Sequence, residues 1–181
     1  METAQARYST VAMIFHWVIA ILVIWNWRIA ENAEHAEMPL KAEIFADHKA
    51  LGILILVLTL GRLAWRLTHK PPPPPEGMAT WEKALSRTVH VIFYVLLIGL
   101  PLGGWYANSL SGREIDFFGM FVIPALPVGE NPDAGKAIFE LHATGGSIMI
   151  YLIALHILGA LKHTFIDKIP GISRMLPRFG G

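Results

Sequence analysis

The sequence contains no cysteine, and this absence excludes several kinds of site at once. A chain without cysteine forms no disulfide, no thiolate metal site, no iron–sulfur cluster and no CxxCH attachment of c-type haem. Charge is also scarce, because Asp, Glu, Lys and Arg make up only 16% of the 181 residues, while 54% are hydrophobic. Soluble domains carry about 25% charged residues. This composition excludes a disordered chain and a chain that coats nucleic acid.

Four long apolar runs dominate what is present. Crossing about 30 Å of hydrocarbon takes about 20 mostly apolar residues in a helix. The runs therefore predict an all-α, membrane-spanning four-helix bundle in a single domain, residues 1–181, with membrane lipid around it. The predicted helices cover about residues 11–29, 48–66, 88–107 and 140–163. The first run lacks the basic start and the cleavage site of a signal peptide, so we expect it to be retained.

The positions of Lys and Arg predict how the helices are oriented. If the N-terminus is cytoplasmic, ten of the 15 Lys and Arg residues fall on the cytoplasmic side. Since cytoplasmic loops carry the excess of positive charge, both termini are expected in the cytoplasm. The proline-rich loop 67–80, with its polyproline II spacer, is then cytoplasmic, and the longer loop 108–139 is periplasmic.

Histidines within the predicted spans carry the main functional signal. Ionisable side chains inside a membrane are costly and therefore indicate function. His142 and His156 lie 14 residues apart on the fourth helix, about 21 Å along its axis and on nearly the same face. His16 lies at the depth of His156, and His48 at the depth of His142. Two facing imidazoles at each depth match the axial ligands of haem iron, so we predict two non-covalent b-type haems with two histidine ligands each.

Other residues near these histidines fit the same prediction. Gly52 and Gly146 each follow a ligand histidine, His48 or His142, by four residues, where a small residue lets a flat macrocycle approach the helix. Helix packing explains either glycine equally well on its own. Arg62 lies near the depth of the cytoplasmic-side haem, where a guanidinium can pair with a haem propionate.

Two further histidines have several open roles. His90, at the cytoplasmic end of the third helix, is a haem-edge, propionate or proton-transfer residue, or is simply interfacial. His163 is expected at the membrane interface, and lining a quinone headgroup site is the alternative. An imidazole titrates near neutral pH, so either side chain is suited to supply protons to a quinone.

Four motifs occur in order along nearly the whole chain: RYSTVAMIFHW, ADHKALGILILVLTLGRLAWRL, HVIFYVLLIGLPLGGW and ELHATGGSIMIYLIALHILGALKHTF. With these motifs the chain resembles the bacterial cytochrome b561 family of di-haem, four-helix inner-membrane proteins. The resemblance implies axial ligation of the two haem irons by His16, His48, His142 and His156. It also implies an oxidoreductase that passes electrons from periplasmic superoxide through two b haems to ubiquinone, with His163 at the quinone site.

Two other functions remain open at this point. The acidic segment AENAEHAEMPLKAE between the first two helices offers a docking face for a basic periplasmic redox donor. The chain would then be a membrane-anchor cytochrome b that passes electrons between a partner redox protein and the quinone pool. Against this, Lys49, Arg113 and Lys136 on the same side would attract an anion such as superoxide. The remaining alternative is a histidine-based metal transporter, because His16, His90 and His156 with a water molecule could hold Zn²⁺.

Overall fold

The computed structural model describes residues 7–169 and 171–176, which form four long helices and four short elements. In chain order they are α1 (Thr10–His35), α2 (Leu40–Thr68), α3 (Thr80–Ser109), β1 (Ile115–Phe117), β2 (Phe121–Ile123) and α4 (Pro132–Leu161), followed by a π-helical turn (Lys162–Ile166) and a 3₁₀ turn (Ile172–Arg174). The strands form an antiparallel hairpin with Phe117 opposite Phe121.

All four long helices are long and apolar enough to cross a membrane, and the fourth span continues through the π-helical turn to Ile166. Helices of 26 to 30 residues extend about 39 to 45 Å. Their outward faces are apolar. On α1, for example, the side chains of Ile14, Ile21 and Trp25 are more than half exposed. Lipid rather than water solvates faces of this kind.

The helices are longer than the apolar runs that predict them. α2, α3 and α4 each begin eight residues before their predicted first residue, and α1 ends six residues after its predicted last one. The predicted loop 108–139 accordingly contains the β-hairpin and the first two turns of α4. The physical reason is that the bilayer limits the apolar part of a helix, whereas polar turns in the interface stay helical.

A single apolar layer lies at the middle of the bundle. Ile19, Ile55, Leu97 and Met149 form it, one from each helix, and all four are buried. Met149 is seven residues from each of the two histidines on α4, which corresponds to about 10 Å along the axis in either direction. The layer therefore separates two levels of the bundle.

The ends of the helices are fixed by local caps and by the C-terminal segment. The Asn131 side chain caps α4 by accepting a hydrogen bond from the Ala134 backbone N–H at 3.1 Å, and Pro132 suits the first helical turn. At the opposite end of the bundle, the buried Arg174 donates from Nη2 to the Pro73 carbonyl at 2.7 Å. The Trp17 indole donates to the Met175 carbonyl at 2.7 Å. The C-terminal segment is thus held against both α1 and the proline loop.

Candidate functional site

Two layers of facing imidazoles lie on either side of the apolar layer. In the His48 layer (His48 and His142), the ring centroids are 5.9 Å apart. In the His16 layer (His16 and His156), they are 6.2 Å apart. Imidazole nitrogens bind first-row metal ions at about 2 Å, so two such bonds in line, with the half-widths of both rings, span about 6 Å. Each layer thus has the spacing that one axially ligated metal ion requires.

In the His48 layer, backbone carbonyls orient both rings. His48 Nδ1 donates to the Asn26 carbonyl at 3.1 Å, and His142 Nδ1 donates to the Leu100 carbonyl at 2.9 Å. A ring that donates from Nδ1 presents an unprotonated Nε2, which is the form that binds a metal ion. The two rings are therefore held in the ligand tautomer by the main chain alone.

The hydrogen bond from His142 joins α4 to α3, because its acceptor, the Leu100 carbonyl, lies on α3 one residue before Pro101. At Gly104, an added Cβ would lie 3.2 Å from Cε1 of His142, so only glycine leaves the ring its full space. The sequence prediction assigned neither Gly104 nor the two carbonyls, although the LPLGG run was a visible signal.

A cavity of about 560 Å³ extends between the two rings of the His48 layer. Both glycines of the sequence prediction, Gly52 and Gly146, line it. A Cβ added at Gly146 would meet no atom within 4 Å, and one at Gly52 would meet only the Asn26 side chain, at 4.0 Å. The cavity thus reaches the backbone of α2 and α4. Its volume, its open glycine walls and its two imidazoles fit a macrocycle such as haem.

Basic and acidic side chains share the walls of this cavity. Lys49, Arg113 and Lys136 line it, and the Lys49 ammonium donates to the Asn108 side chain at 3.4 Å. Glu31 and Glu34 of α1 line it as well. The structure thus brings the predicted basic residues to the same cavity as the His48 layer, together with part of the acidic segment.

The His16 layer is built differently, because a third imidazole joins it. The His90 ring centroid lies 5.8 Å from that of His156, and His90 Nδ1 donates to the Ser86 carbonyl at 2.6 Å. Within residues 7–169 and 171–176, neither His16 nor His156 has a hydrogen bond to its ring nitrogens. His90 therefore faces the layer from α3.

A guanidinium lies beside the His16 layer. The positive charge of Arg62 interacts electrostatically with the imidazoles of His16, His90 and His156. Its guanidinium carbon is 5.8 Å from the ring of Tyr94, whose buried hydroxyl has no hydrogen-bond partner among the described residues. A guanidinium and an unpaired hydroxyl beside two facing imidazoles suit a carboxylate of a bound cofactor, such as a haem propionate. Sequence reasoning found Arg62 but not Tyr94.

His163 lies beyond the end of α4, within a small polar cluster. His163 Nδ1 donates to Asp167 Oδ2 at 2.8 Å, and Lys162 Nζ bridges Asp167 at 2.7 Å and Glu82 at 2.6 Å. The hydrogen bond from Lys162, assisted by that from His163, lowers the pKa of the Asp167 carboxyl. The carboxylate fixes the His163 tautomer with Nε2 free. The sequence analysis predicted neither Asp167 nor Glu82 in this cluster. Glu82 is 80 residues from Lys162 in the sequence.

Four membrane-length helices with facing imidazoles at two levels define the class of four-helix membrane cytochromes. Within that class the family is also shown: the sequence model described as prokaryotic cytochrome b561 matches residues 7–178, and the chain belongs to this family. Membership carries transmembrane electron transfer and b-type haem as properties of the family. The chain is accordingly a multi-pass membrane protein.

Full-length relatives agree with this assignment. Cytochrome b561 homolog 2 of Escherichia coli (strain K12) is 29% identical over 175 residues, which cover 94% of this chain and 91% of the relative. Cytochrome b561 homolog 1 of the same organism is 28% identical over 179 residues, 95% and 98% of the two chains. A Yersinia pestis protein named probable superoxide oxidase CybB is 27% identical over 175 residues, 97% and 98% of the two chains.

Proposed function

We propose that this protein transfers electrons across the bacterial inner membrane, from superoxide on the periplasmic side to ubiquinone on the cytoplasmic side. His48 and His142 would hold one b haem, and His16 and His156 a second, and these groups would supply the redox sites for the transfer. The observation that carries the proposal is the pair of facing imidazoles at each of two levels. The name of the Yersinia pestis relative supports superoxide as the electron donor.

The His48 layer is the entry side of this proposal. Lys49, Arg113 and Lys136 line the cavity that contains His48 and His142, so an anion that reaches the cavity meets positive charge. Each superoxide gives up one electron and leaves as neutral dioxygen, which the same charges do not retain. When bound, each b haem supplies a one-electron site. The main-chain carbonyls at Asn26 and Leu100 keep both imidazoles in the ligand form.

The His16 layer and the polar cluster beyond α4 form the exit side. Ubiquinone takes up two electrons, from two superoxide anions, and two protons. His163 is assigned to the quinone headgroup, because Asp167 holds its Nδ1–H and would stabilise the imidazolium that forms when Nε2 takes up a proton. That Nε2 proton would then pass to a quinone oxygen. His90, next to His156, is the second proton-donor candidate.

A spectroscopic haem count tests the proposal first. The detergent-purified protein is expected to give sharp b-type bands in a reduced-minus-oxidised spectrum and two haems per chain as pyridine haemochrome. A preparation without haem, from cells well supplied with it, overturns the proposal. The purified protein in ubiquinone-containing vesicles is then expected to reduce the quinone when superoxide is generated, without any added protein.

A second candidate function is favoured by Glu31 and Glu34. Both carboxylates line the cavity of the His48 layer, and negative charge repels superoxide but attracts a basic partner. The protein would then anchor a periplasmic redox protein and pass its electrons to the quinone pool. Glu31→Gln and Glu34→Gln separate the two functions, because they should speed reduction by superoxide but slow reduction by a basic protein donor. Haem reduction by a copurifying partner, with none by superoxide, would favour the anchor.

A metal transporter has less support from the geometry. Among the described residues, three ligand atoms lie within 4.8 Å of one another at Glu82, His163 and Asp167. The three histidines of the predicted zinc site, His16, His90 and His156, do not form such a group. The ammonium of Lys162 already contacts both carboxylates of that cluster. A colourless preparation with stoichiometric zinc is the result that would favour this function.

A further inference from the structure

The loop between α3 and α4 contains a run of residues that suits lipid better than water. No charged residue occurs from Phe117 to Val128, which read FFGMFVIPALPV. Four large apolar side chains at and after the hairpin turn are strongly exposed, at 41, 67, 55 and 54%: Phe118, Met120, Phe121 and Val122, here called the hairpin patch. Turns in water usually carry polar residues and glycine instead.

The backbone of the hairpin turn has positive φ angles that are unusual for a residue of this patch, Phe118. Met120 N–H donates to the Phe117 carbonyl at 3.0 Å, and Phe118 and Gly119 both have positive φ, 54° and 71°. Two positive φ angles define a turn that favours Asn, Asp or Gly at its first central position. A bulky phenylalanine in the left-handed region is an outlier, and such residues persist where they serve a purpose.

The base of the hairpin is fixed to the last turns of α3. The Trp105 indole, in the last turns of α3, donates to the Pro124 carbonyl at 3.2 Å, and the Leu126 N–H donates to the Ser109 hydroxyl at 3.0 Å. Trp105 lies near the end of a membrane-spanning helix, where tryptophans mark the headgroup region. The segment that directly follows the hairpin patch is therefore held against the end of α3.

We propose that the hairpin patch inserts into the lipid bilayer interface at the His48 end of the bundle. Its occupant is lipid, because the patch is uncharged and the segment that follows it is bound to the end of a membrane-length helix, beside Trp105. The anchor also has a consequence for the site: Arg113 and Ile115, just before the turn, line the cavity between His48 and His142. Lipid contact at the tip thus holds one wall of that cavity. The proposal depends on the membrane class of the protein, and not on the identity of its electron donor.

The absence of cysteine makes the test direct, because any introduced thiol is the only one. Met120→Cys and Val122→Cys are spin-labelled in the haem-loaded protein and reconstituted in phosphatidylcholine vesicles. Power-saturation EPR then compares collisions with dioxygen, which enters lipid, and with a water-soluble nickel chelate. Tyr151→Cys on the exposed face of α4 serves as the lipid reference, and Glu130→Cys after the hairpin serves as the water reference.

Labels at Met120 and Val122 are expected to resemble the lipid reference, with high dioxygen and low nickel accessibility. High nickel accessibility would show a patch in water, and exclusion of both reagents would show a protein contact such as a second copy. Either result overturns the proposal. In addition, Phe118→Asn, which keeps the turn because Asn adopts positive φ, should raise nickel accessibility at Val122 at least twofold. No change from this substitution would contradict insertion through the tip.

Discussion

The two histidine layers use the same pair of side chains but hold them by different means. In the His48 layer, both rings donate to backbone carbonyls, so the main chain sets their orientation. In the His16 layer, no hydrogen bond to the two ring nitrogens occurs within the described residues, and the neighbours are a third imidazole and the guanidinium of Arg62. One site is oriented before any cofactor binds, whereas the other depends on side chains around it.

The largest expected effect follows from this difference. The haem of one layer should be lost without loss of the haem of the other layer. His142→Ala removes one proposed ligand of the His48 layer and should lower the haem content from the proposed two per chain to one, with the other haem retained. His156→Ala should do the same to the His16 layer. Haem per chain and reduced-minus-oxidised spectra measure both variants.

Exposed His35, at the end of α1, provides the matched control, since His35→Ala should keep both haems. Two haems in His142→Ala would disprove the ligand assignment. Loss of both from either variant would mean that the layers form one cooperative unit instead of two sites.

A second prediction concerns which histidine, His16 or His90, is the ligand opposite His156 in the His16 layer. The His90 ring lies 5.8 Å from His156, slightly nearer than the His16 ring at 6.2 Å. With His16 as the ligand, His16→Ala should lose the haem of that layer, whereas His90→Ala should keep two haems and change only the potential or quinone reduction rate of one. A haem count with a potentiometric titration distinguishes the variants. The reverse pattern would assign the iron to His90.

Filling the space beside the His142 ring should have a smaller effect, a loss of haem affinity in the His48 layer only. Gly104→Ala would place a Cβ 3.2 Å from the His142 ring, and the displaced ring would cost about 1 kcal/mol, or about fivefold in haem affinity. Gly103→Ala is the matched control on the same helix, because its Cβ would meet no atom within 4 Å. Haem transfer to an acceptor protein measures the loss rate. Equal rates in the two variants would show that the ring does not depend on this space.

The sequence predicted the spans and the level of each histidine because both follow from simple periodicities. Run length determines a spanning helix, and 14 residues bring His142 and His156 to one face at two depths. It did not predict the groups that orient the rings. The carbonyls of Asn26 and Leu100 have no side-chain signature, and their use depends on how α1 and α3 approach the rings.

The polar cluster beyond α4 was missed for a related reason. Glu82 reads as an ordinary first-turn residue that caps α3, and its backbone bond to Ala79 at 3.1 Å is such a cap. Its second bond, to Lys162, joins residues 80 positions apart. Only the packing of α3 against α4 brings them together, and no local pattern contains that information.

The smallest expected effect is a change in Tm when the charge of Asp167 in this cluster is removed. The pKa of Asp167 is lowered in the folded protein, first by Lys162 and then by His163. A carboxylate with a lowered folded pKa stabilises the protein fully above its unfolded value, about 3.9, and loses this contribution as pH falls through the folded value. Asp167→Asn should therefore lower Tm by about 1–2 °C at pH 7, and its difference from the wild type should shrink below about pH 4 and vanish below the lowered folded pKa.

Asp47→Asn is the appropriate comparison for this measurement. Asp47 is exposed near the other end of the bundle and forms no ion pair or hydrogen bond among the described residues, so its replacement should leave Tm unchanged at every pH. An offset in Asp167→Asn that persists undiminished into acid would mean that the charge of Asp167 is not what stabilises this end. Convergence would show that Asp167 stabilises the α4 terminus through its charge, in the ion pairs with Lys162 and His163.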